Sequence, residues 1–264
     1  MLLKFRNGYD FGTKKQKEDT TKREMVLFCL SDLHGTCYEP GNRPIIECAW
    51  NQKPDLILAS GDMLSGDREE GAAIAVALLS RLSDLAPVCF VNGNHEMCVE
   101  RHQPERYQKF MDDLKNGGVQ VLHNETAWFW IDGEKVAVTG YELPWEYYRR
   151  FSRRHPSVVG MERSIGKRKQ DAYQILLTHN PVFFEEYAAW GADFTFAGHL
   201  HGGFIRLPYF GGVISPQFQL FPKYDHGLYQ MDTSSMVVGA GMGNHSGLFR
   251  INNPTEIVTV RIKR

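Results

Sequence analysis

Five short motifs rich in Asp, His and Asn stand directly after apolar runs of this sequence. Each run is short and rich in Val, Ile or Phe, which predicts a buried strand. Side chains at strand ends in a layered α/β protein converge on one rim, where ligand sites usually form. The motifs are Asp32-Leu33-His34-Gly35, Gly61-Asp62, Gly93-Asn94-His95-Glu96, Thr178-His179-Asn180-Pro181 and Gly198-His199-Leu200-His201. We therefore expect their side chains to meet in space.

Seven side chains in these motifs belong to the ligand types of borderline transition metals. Carboxylates, an amide oxygen and imidazoles suit Mn, Fe, Co, Ni or Zn, whereas Ca²⁺ and Mg²⁺ prefer oxygen ligands. The set is too large for one ion and suits two ions that share a carboxylate. Two ions roughly 3.5–4 Å apart can clamp the attacking and leaving oxygens of a phosphoryl centre. The candidate ligands are Asp32, His34, Asp62, Asn94, His179, His199 and His201.

Each motif alone also has an ordinary structural explanation. A single histidine such as His179 is more often a hydrogen-bonded structural residue, and Gly93-Asn94 suits a simple turn. The pair His199 and His201 is more specific, because residues two apart lie on the same side of an extended strand. The ordered set of motifs, each after a strand pattern, favours one shared metal centre over separate structural roles.

The hydrophobic pattern indicates the elements that must position these motifs. Short apolar runs between Val26 and Ile262 predict strands, and helical spacing predicts helices over Glu69–Leu82 and Gln103–Leu114. Strands alternate with helices early and dominate later, which predicts two packed sheets with helices outside. Residues 1–24 are polar and basic, so we expect a flexible N-terminal arm followed by one domain over residues 25–264.

Composition and charge exclude several classes of protein. The 264 residues are 42% hydrophobic and carry a net charge of −1, which indicates a soluble globular protein and no stable nucleic-acid complex. The longest purely apolar run, Ala72–Leu79, is too short to cross a bilayer, and no signal-peptide core follows Met1. Five cysteines without a C-x-x-C pair favour a reducing compartment, so we expect a cytoplasmic protein of undetermined oligomeric state.

The segment Tyr141–Lys169 has a composition of its own. It is aromatic at first, and then carries eight Lys/Arg and one acid between Arg149 and Lys169. A solvated surface explains this pattern. The alternative is a lid that attracts anionic ligands, or a peripheral contact with an anionic membrane surface.

Taken together, the five motifs resemble the full signature of the calcineurin-like metallophosphoesterases. The resemblance extends from about Val26 to the C-terminus and implies an α/β fold, a four-layer αββα sandwich of the metallo-dependent phosphatase type. The end of the chain also resembles a bacterial phosphodiesterase branch of that family. The stretches that carry this second resemblance are Phe210-Gly211-Gly212, Tyr224–Tyr229, Gly239–Gly243 and Asn253–Ile257.

The resemblance implies a role for each ligand and two divalent or trivalent ions, Mn, Fe or Zn, as cofactors. Asp32, His34 and His201 would hold the first ion, Asn94, His179 and His199 the second, and Asp62 would bridge them. A hydroxide between the ions would attack phosphorus. His95 would be the general acid at the leaving group, and Glu96 an acidic residue able to orient His95.

The substrate is open among phosphate esters. Protein phosphatases of the family follow the second motif with Asp-Arg-Gly, whereas Gly61-Asp62 continues here as Met63-Leu64-Ser65. A phosphodiester is therefore favoured, with the pyrophosphate of a nucleotide-linked lipid or sugar as the alternative. A non-catalytic metal-binding scaffold is an alternative of another class, and a nuclease is a third.

Overall fold

The computed structural model describes residues 3–12, 23–38, 40–65, 70–149, 154–203, 205–207, 211–213, 220–243 and 250–263. The strands are β1 (Leu3–Gly12), β2 (Met25–Leu30), β3 (Leu56–Ala59), β4 (Val88–Phe90), β5 (Gln120–Val121), β6 (Thr126–Ile131), β7 (Glu134–Tyr141), β8 (Tyr173–Thr178), β9 (Phe194–Ala197), β10 (Arg206–Leu207), β11 (Gly211–Gly212), β12 (Gly227–Met231), β13 (Ser234–Val238) and β14 (Thr255–Lys263). The α-helices are α1 (Arg43–Gln52), α2 (Glu70–Ser83), α3 (Asn94–His102), α4 (Pro104–Asn116), α5 (Val158–Ile165) and α6 (Phe184–Trp190). Single 3-10 turns cover Pro40–Asn42, Trp145–Tyr148 and Pro181–Phe183.

Within the described ranges, the longer strands form two six-stranded mixed sheets. The first has the order β1-β14-β2-β3-β4-β5, and the second has the order β12-β13-β9-β8-β7-β6. Strands β2 to β5 run parallel, as do β7, β8, β9 and β13. Parallel neighbours end at the same edge of a sheet, so the loops after β2, β3 and β4 leave one edge together, as do those after β8 and β9.

Three apolar layers separate the sheets and helices. In β2, Leu27 and Cys29 face the second sheet, whereas Phe28 and Leu30 face helices of the first. In β8, Leu177 faces the first sheet and Leu176 packs with α5 and α6. Buried strands with apolar residues on both faces require cover on both sides. The order helix, sheet, sheet, helix confirms the predicted four-layer α/β sandwich.

The N-terminal segment differs from the expected arm. Residues 3–12 form β1, which pairs in parallel with β14 at the edge of the first sheet, from Leu3 opposite Thr255 to Gly12 opposite Lys263. The unpaired backbone edge of a strand is a template for another strand, whatever the polarity of its side chains. The rest of the segment, residues 1–2 and 13–22, lies outside the described residues.

Both predicted helices are present. Glu69–Leu82 corresponds to α2, and Gln103–Leu114 corresponds to α4, which begins at Pro104. Proline suits the first position of a helix because the amide it lacks would have had no partner there. None of the helices that the structure describes combines the length and the apolar character needed to cross a membrane.

Candidate metal centre

The strand ends bring the five motifs together at one edge of the sandwich. Asp32 follows β2, Asp62 follows β3, Asn94 follows β4, His179 follows β8 and His199 follows β9. Backbone hydrogen bonds join the loops: the Asp32 amide donates to Gly61 O at 3.0 Å, and the His34 amide donates to Asp62 O at 3.0 Å. The predicted convergence is therefore present.

One cluster consists of Asp32, His34 and His201. The Nε2 atoms of His34 and His201 lie 3.2 Å apart, and His201 Nε2 is 3.4 Å from Asp32 Oδ1. All three residues are buried. One potential ligand atom from each lies within 4.8 Å of the others, so the three could hold one ion.

A second cluster consists of Asp62, His179 and His199. His179 Nε2 is 3.2 Å from Asp62 Oδ2, and the His179 and His199 rings are 4.9 Å apart. These residues could also hold an ion, and Asp62 further forms a group with His34 and His95. Asp62 therefore lies between the imidazole of His34 and those of His179 and His199.

Backbone strain is concentrated in the same loops. Five predicted ligands have positive φ angles: Asp32 (52°), His34 (48°), Asp62 (53°), His199 (69°) and His201 (51°). Such conformations are uncommon for residues other than glycine and cost of order 1–3 kcal/mol each. Strain of this kind persists where the surrounding structure imposes it, which is typical of functional sites.

Two motif glycines allow the carboxylates to approach the backbone. A Cβ atom at Gly93 would overlap Asp62 Oδ1, and one at Gly198 would overlap Asp32 Oδ2. The space gained lets backbone amides reach the carboxylates: His95 N donates to Asp62 Oδ1 at 2.8 Å, and His199 N donates to Asp32 Oδ1 at 3.1 Å. Both acids are thereby held in one orientation.

The donor atoms of the second cluster fit a metal ion. His179 Nδ1 lies 2.6 Å from Ser60 O, so it donates there and directs Nε2 towards Asp62, where Nε2 can bind an ion once its own proton has left. Asn94 Oδ1 is buried and has no hydrogen-bond partner among the described residues. A buried acceptor without a donor is costly, and a cation would satisfy it.

Charges in the centre are strongly perturbed. Burial raises the pKa of Asp32 to about 6, against the lowering effect of His179. Burial would also raise the pKa of Asp62, but His179 and His95 hold it well below its usual range. Burial lowers the pKa of His179, yet Asp62 and Asp32 outweigh it and raise that pKa to about 9. The two carboxylates therefore make the proton on His179 harder to remove than that of a free imidazole.

Metal affinity is expected to rise between about pH 6 and about pH 9. Below its raised pKa, His179 carries a proton that must leave before Nε2 can bind an ion, so affinity increases by up to about tenfold per pH unit. Calorimetric titration of metal-free protein with Mn²⁺, in buffers of different ionisation enthalpy, measures both the affinity and the released proton. A pH-independent affinity without proton release would contradict this assignment.

Two residues of the third motif, His95 and Glu96, lie outside the two clusters. His95 Nε2 is 4.0 Å from Asp62 Oδ2, and its side chain is 19% exposed, against 0% for His179 and 6% for His201. His95 is thus the imidazole most open to an incoming ligand. Glu96 is fully buried, and its carboxylate accepts the backbone amides of Asp62, Leu64 and Gly93, each at 2.8 Å. Glu96 thus joins the loops of the second and third motifs, whereas the family resemblance implied that Glu96 orients His95.

Three residues at the centre were missed by sequence reasoning. The Tyr148 ring packs edge-on against His199 with centroids 5.2 Å apart. Arg250 Nη2 lies 2.8 Å from His201 Nδ1, and Asn253 Nδ2 donates to the His201 carbonyl. The aromatic composition of the middle segment gave a weak signal for Tyr148. The C-terminal resemblance, whose last stretch begins at Asn253, gave a weak signal for Asn253.

Comparison with known proteins gives a family match. A family model described as calcineurin-like phosphoesterase matches residues 25–203. The phosphodiesterase YaeI of Escherichia coli is 26% identical over 93% of this chain and 84% of its own length. YpbG of Bacillus subtilis, an uncharacterised protein, is 27% identical over 72% of this chain and 66% of its own length. An uncharacterised metallophosphoesterase of Aquifex aeolicus is 24% identical over 97% of this chain and 90% of its own.

Two solved structures share the fold. The NAD nucleotidase NadN of Haemophilus influenzae has a TM-score of 0.53 and 16% identity over 83% of this chain and 45% of its own. The sulfate thiohydrolase SoxB of Thermus thermophilus has a TM-score of 0.52 and 13% identity over 84% of this chain and 53% of its own. This chain thus spans about half of each solved chain, and the likeness concerns the fold alone.

Proposed function

Because this chain belongs to the calcineurin-like phosphoesterase family, a family of metal-dependent phosphoric ester hydrolases, we propose that it is a phosphodiesterase with a two-metal centre. Asp32, His34 and His201 would hold one ion, and Asn94, His179 and His199 the other, the ions being Mn, Fe or Zn. The observation that carries the proposal is the position of Asp62, whose carboxylate lies in one ligand group with His179 and His199 and in another with His34 of the first cluster.

The chain's own residues supply positioning and proton transfer. When bound, two such ions would lower the pKa of a water nucleophile and offset the charge of a phosphoryl group. The amides of His95 and His199 fix the two carboxylates, and Ser60 O fixes the tautomer of His179. His95, which is more exposed than the imidazoles of the two clusters, would donate a proton to the leaving oxygen.

A diester is favoured over other phosphate esters. The second motif lacks the arginine found after it in protein phosphatases of the family, and YaeI, which aligns over most of this chain, is named a phosphodiesterase. The pyrophosphate of a nucleotide-linked lipid or sugar is the alternative substrate. A non-catalytic scaffold is disfavoured, since no predicted ligand is missing from the sequence.

A substrate panel tests the proposal. We expect the Mn²⁺-loaded protein to hydrolyse bis(4-nitrophenyl) phosphate with a kcat/KM about tenfold or more above that for 4-nitrophenyl phosphate, a difference of about 1.4 kcal/mol in transition-state stabilisation. Cyclic nucleotides and a UDP-linked lipid precursor complete the panel, and chelated protein is the control. A strong preference for the monoester would contradict the diesterase assignment, and a preference for the UDP-linked lipid would support the alternative.

We also propose that the protein is cytoplasmic and that its basic middle segment contacts an anionic membrane surface. Part of the basic charge of the middle segment is used within the molecule: Arg154 pairs with Glu146 at 3.3 Å, and Arg168 pairs with Asp193 at 2.8 Å. Residues 150–153 of that segment lie outside the described residues. Pelleting with anionic liposomes at low and high salt tests the contact, since binding by basic residues weakens with salt.

A further inference from the structure

A cavity lies between α3, which begins with the motif residues Asn94 and His95, and the 3-10 turn Trp145–Tyr148. Its volume is about 300 Å³, and its walls are Met97, Cys98, Glu100, Arg101, His102 and Trp145. This volume is at the lower end of the range of small-molecule sites, roughly 300–1,000 Å³.

Both walls of the cavity originate at the metal centre. Helix α3 starts with Asn94 and His95, and residues three and seven positions after His95, namely Cys98 and His102, lie on the same face of the helix. The other wall ends at Tyr148, which packs against His199. Arg101 lies six positions after His95 in the helix, a rise of about 9 Å. A nucleoside-sized substituent on a phosphorus atom held beside His95 could therefore reach the cavity.

The chemistry of the cavity suits a flat polar group. Trp145 is 37% exposed and carries the Arg101 guanidinium over its ring, 5.8 Å from the centroid. A cation at this distance is attracted by the ring and restrains its orientation. At the edge of the cavity, the Glu100 carboxylate adds a hydrogen-bond acceptor. The His102 imidazole adds a group that can donate or accept a hydrogen bond. An alkyl chain would gain less here, because it would cover these polar side chains without forming hydrogen bonds to them, whereas the edge of a flat polar group can form such bonds.

We propose that this cavity binds the nucleobase of a nucleotide-containing phosphodiester, with the base stacked on Trp145. The inference rests on the proposed phosphodiesterase activity and narrows its substrate class. Every base has a flat face, so stacking provides affinity without sequence readout. Trp145 is then a specificity-determining residue, and the phosphate lies between the cavity and the two clusters.

Two substrates with the same leaving group test the proposal. Thymidine 5′-(4-nitrophenyl phosphate) and methyl 4-nitrophenyl phosphate both release 4-nitrophenolate when water attacks phosphorus, and they differ only in the nucleoside. We expect the parent protein to favour the thymidine ester in kcat/KM by about tenfold or more. Trp145→Ala should reduce this preference by about five- to 150-fold, mainly through KM, because base stacking on an aromatic ring contributes about that factor.

Matched variants separate stacking from damage to the fold. Trp145→Phe keeps an aromatic face and should retain most of the preference. Trp130→Ala, which removes a 72% exposed tryptophan of β6, should leave the parent's preference intact. Thermal unfolding of each variant shows whether the fold is preserved.

The possible failures are distinguishable. If neither ester is hydrolysed, the proposed phosphodiesterase activity fails. If both are hydrolysed equally and Trp145→Ala leaves their ratio unchanged, the nucleobase site fails while the phosphodiesterase activity stands. If hexyl 4-nitrophenyl phosphate is preferred over the thymidine ester and that preference depends on Trp145, the cavity binds an alkyl group and the proposal is overturned.

Discussion

Asp62→Asn is expected to lower kcat for bis(4-nitrophenyl) phosphate by about 10³-fold or more, since removal of even one charge-stabilising donor from an active site costs about 10²–10³-fold. Asparagine has nearly the same shape and still accepts the amide of His95 through Oδ1, so the loop is preserved. The change removes the negative charge that lies between His34 of the first cluster and His179 of the second. Without it, two cations would face each other across a neutral group in a buried site, which is electrostatically costly.

Metal content should change together with activity. Elemental analysis of Asp62→Asn is expected to find one ion or fewer per chain where the parent binds two. Asp232→Asn is the matched control, because Asp232 is exposed and has a φ of 50°, close to the 53° of Asp62. A variant that loses its activity but keeps two ions would assign Asp62 to catalysis without bridging. A variant that keeps both its activity and its two ions would refute the proposal that the two ions share Asp62.

The sequence was most informative where local pattern and chemistry coincide. The buried strands are apolar on both faces, so short runs such as Val26–Leu30 and Leu56–Ala59 predict both the strands and the position of the residue that follows each one. Because parallel strands end at a common edge, the motifs after them converge without any further information. The layered fold and the candidate ligands were therefore predictable together.

The features that the sequence did not predict depend on contacts between residues far apart in the chain. Strand β1 pairs with β14 at the opposite end of the sequence, whereas the polar and basic composition of residues 1–24 predicted a flexible arm. Pairing across such a separation leaves no signature in composition. The partners of Glu96 were equally inaccessible, since backbone amides of Asp62 and Leu64 carry no side-chain signal.

The strained loops at the centre are supported by hydrogen bonds. Residues with positive φ, such as Asp32 and Asp62, are unfavourable locally, and their loops are held by specific hydrogen bonds. Glu96 accepts the amide of Asp62, and the Gly243 amide donates to Asp32 O at 2.6 Å. The fold thereby fixes these predicted ligands in the absence of an ion, which would reduce the ordering that metal binding requires.

The proposed role of His95 leads to a second large effect, which should depend on the leaving group. His95→Ala is expected to slow hydrolysis of an unactivated dialkyl phosphate by about 10²–10⁴-fold, the usual contribution of a general acid. The effect should be much smaller for bis(4-nitrophenyl) phosphate, because 4-nitrophenolate leaves without being protonated. The slope of log kcat against leaving-group pKa should therefore become steeper in the variant.

Metal content and a matched control distinguish a proton donor from a ligand. His95 lies outside the two clusters assigned to the ions, so His95→Ala should keep both ions, unlike Asp62→Asn. His155→Ala is the control, because the His155 side chain is 61% exposed and contacts Glu186 away from the centre. If His95→Ala cleaves the dialkyl ester as fast as the parent, His95 is not the general acid. If the variant instead loses an ion, the contact of His95 with Asp62 reflects metal binding, because the group of His34, Asp62 and His95 also has ligand geometry.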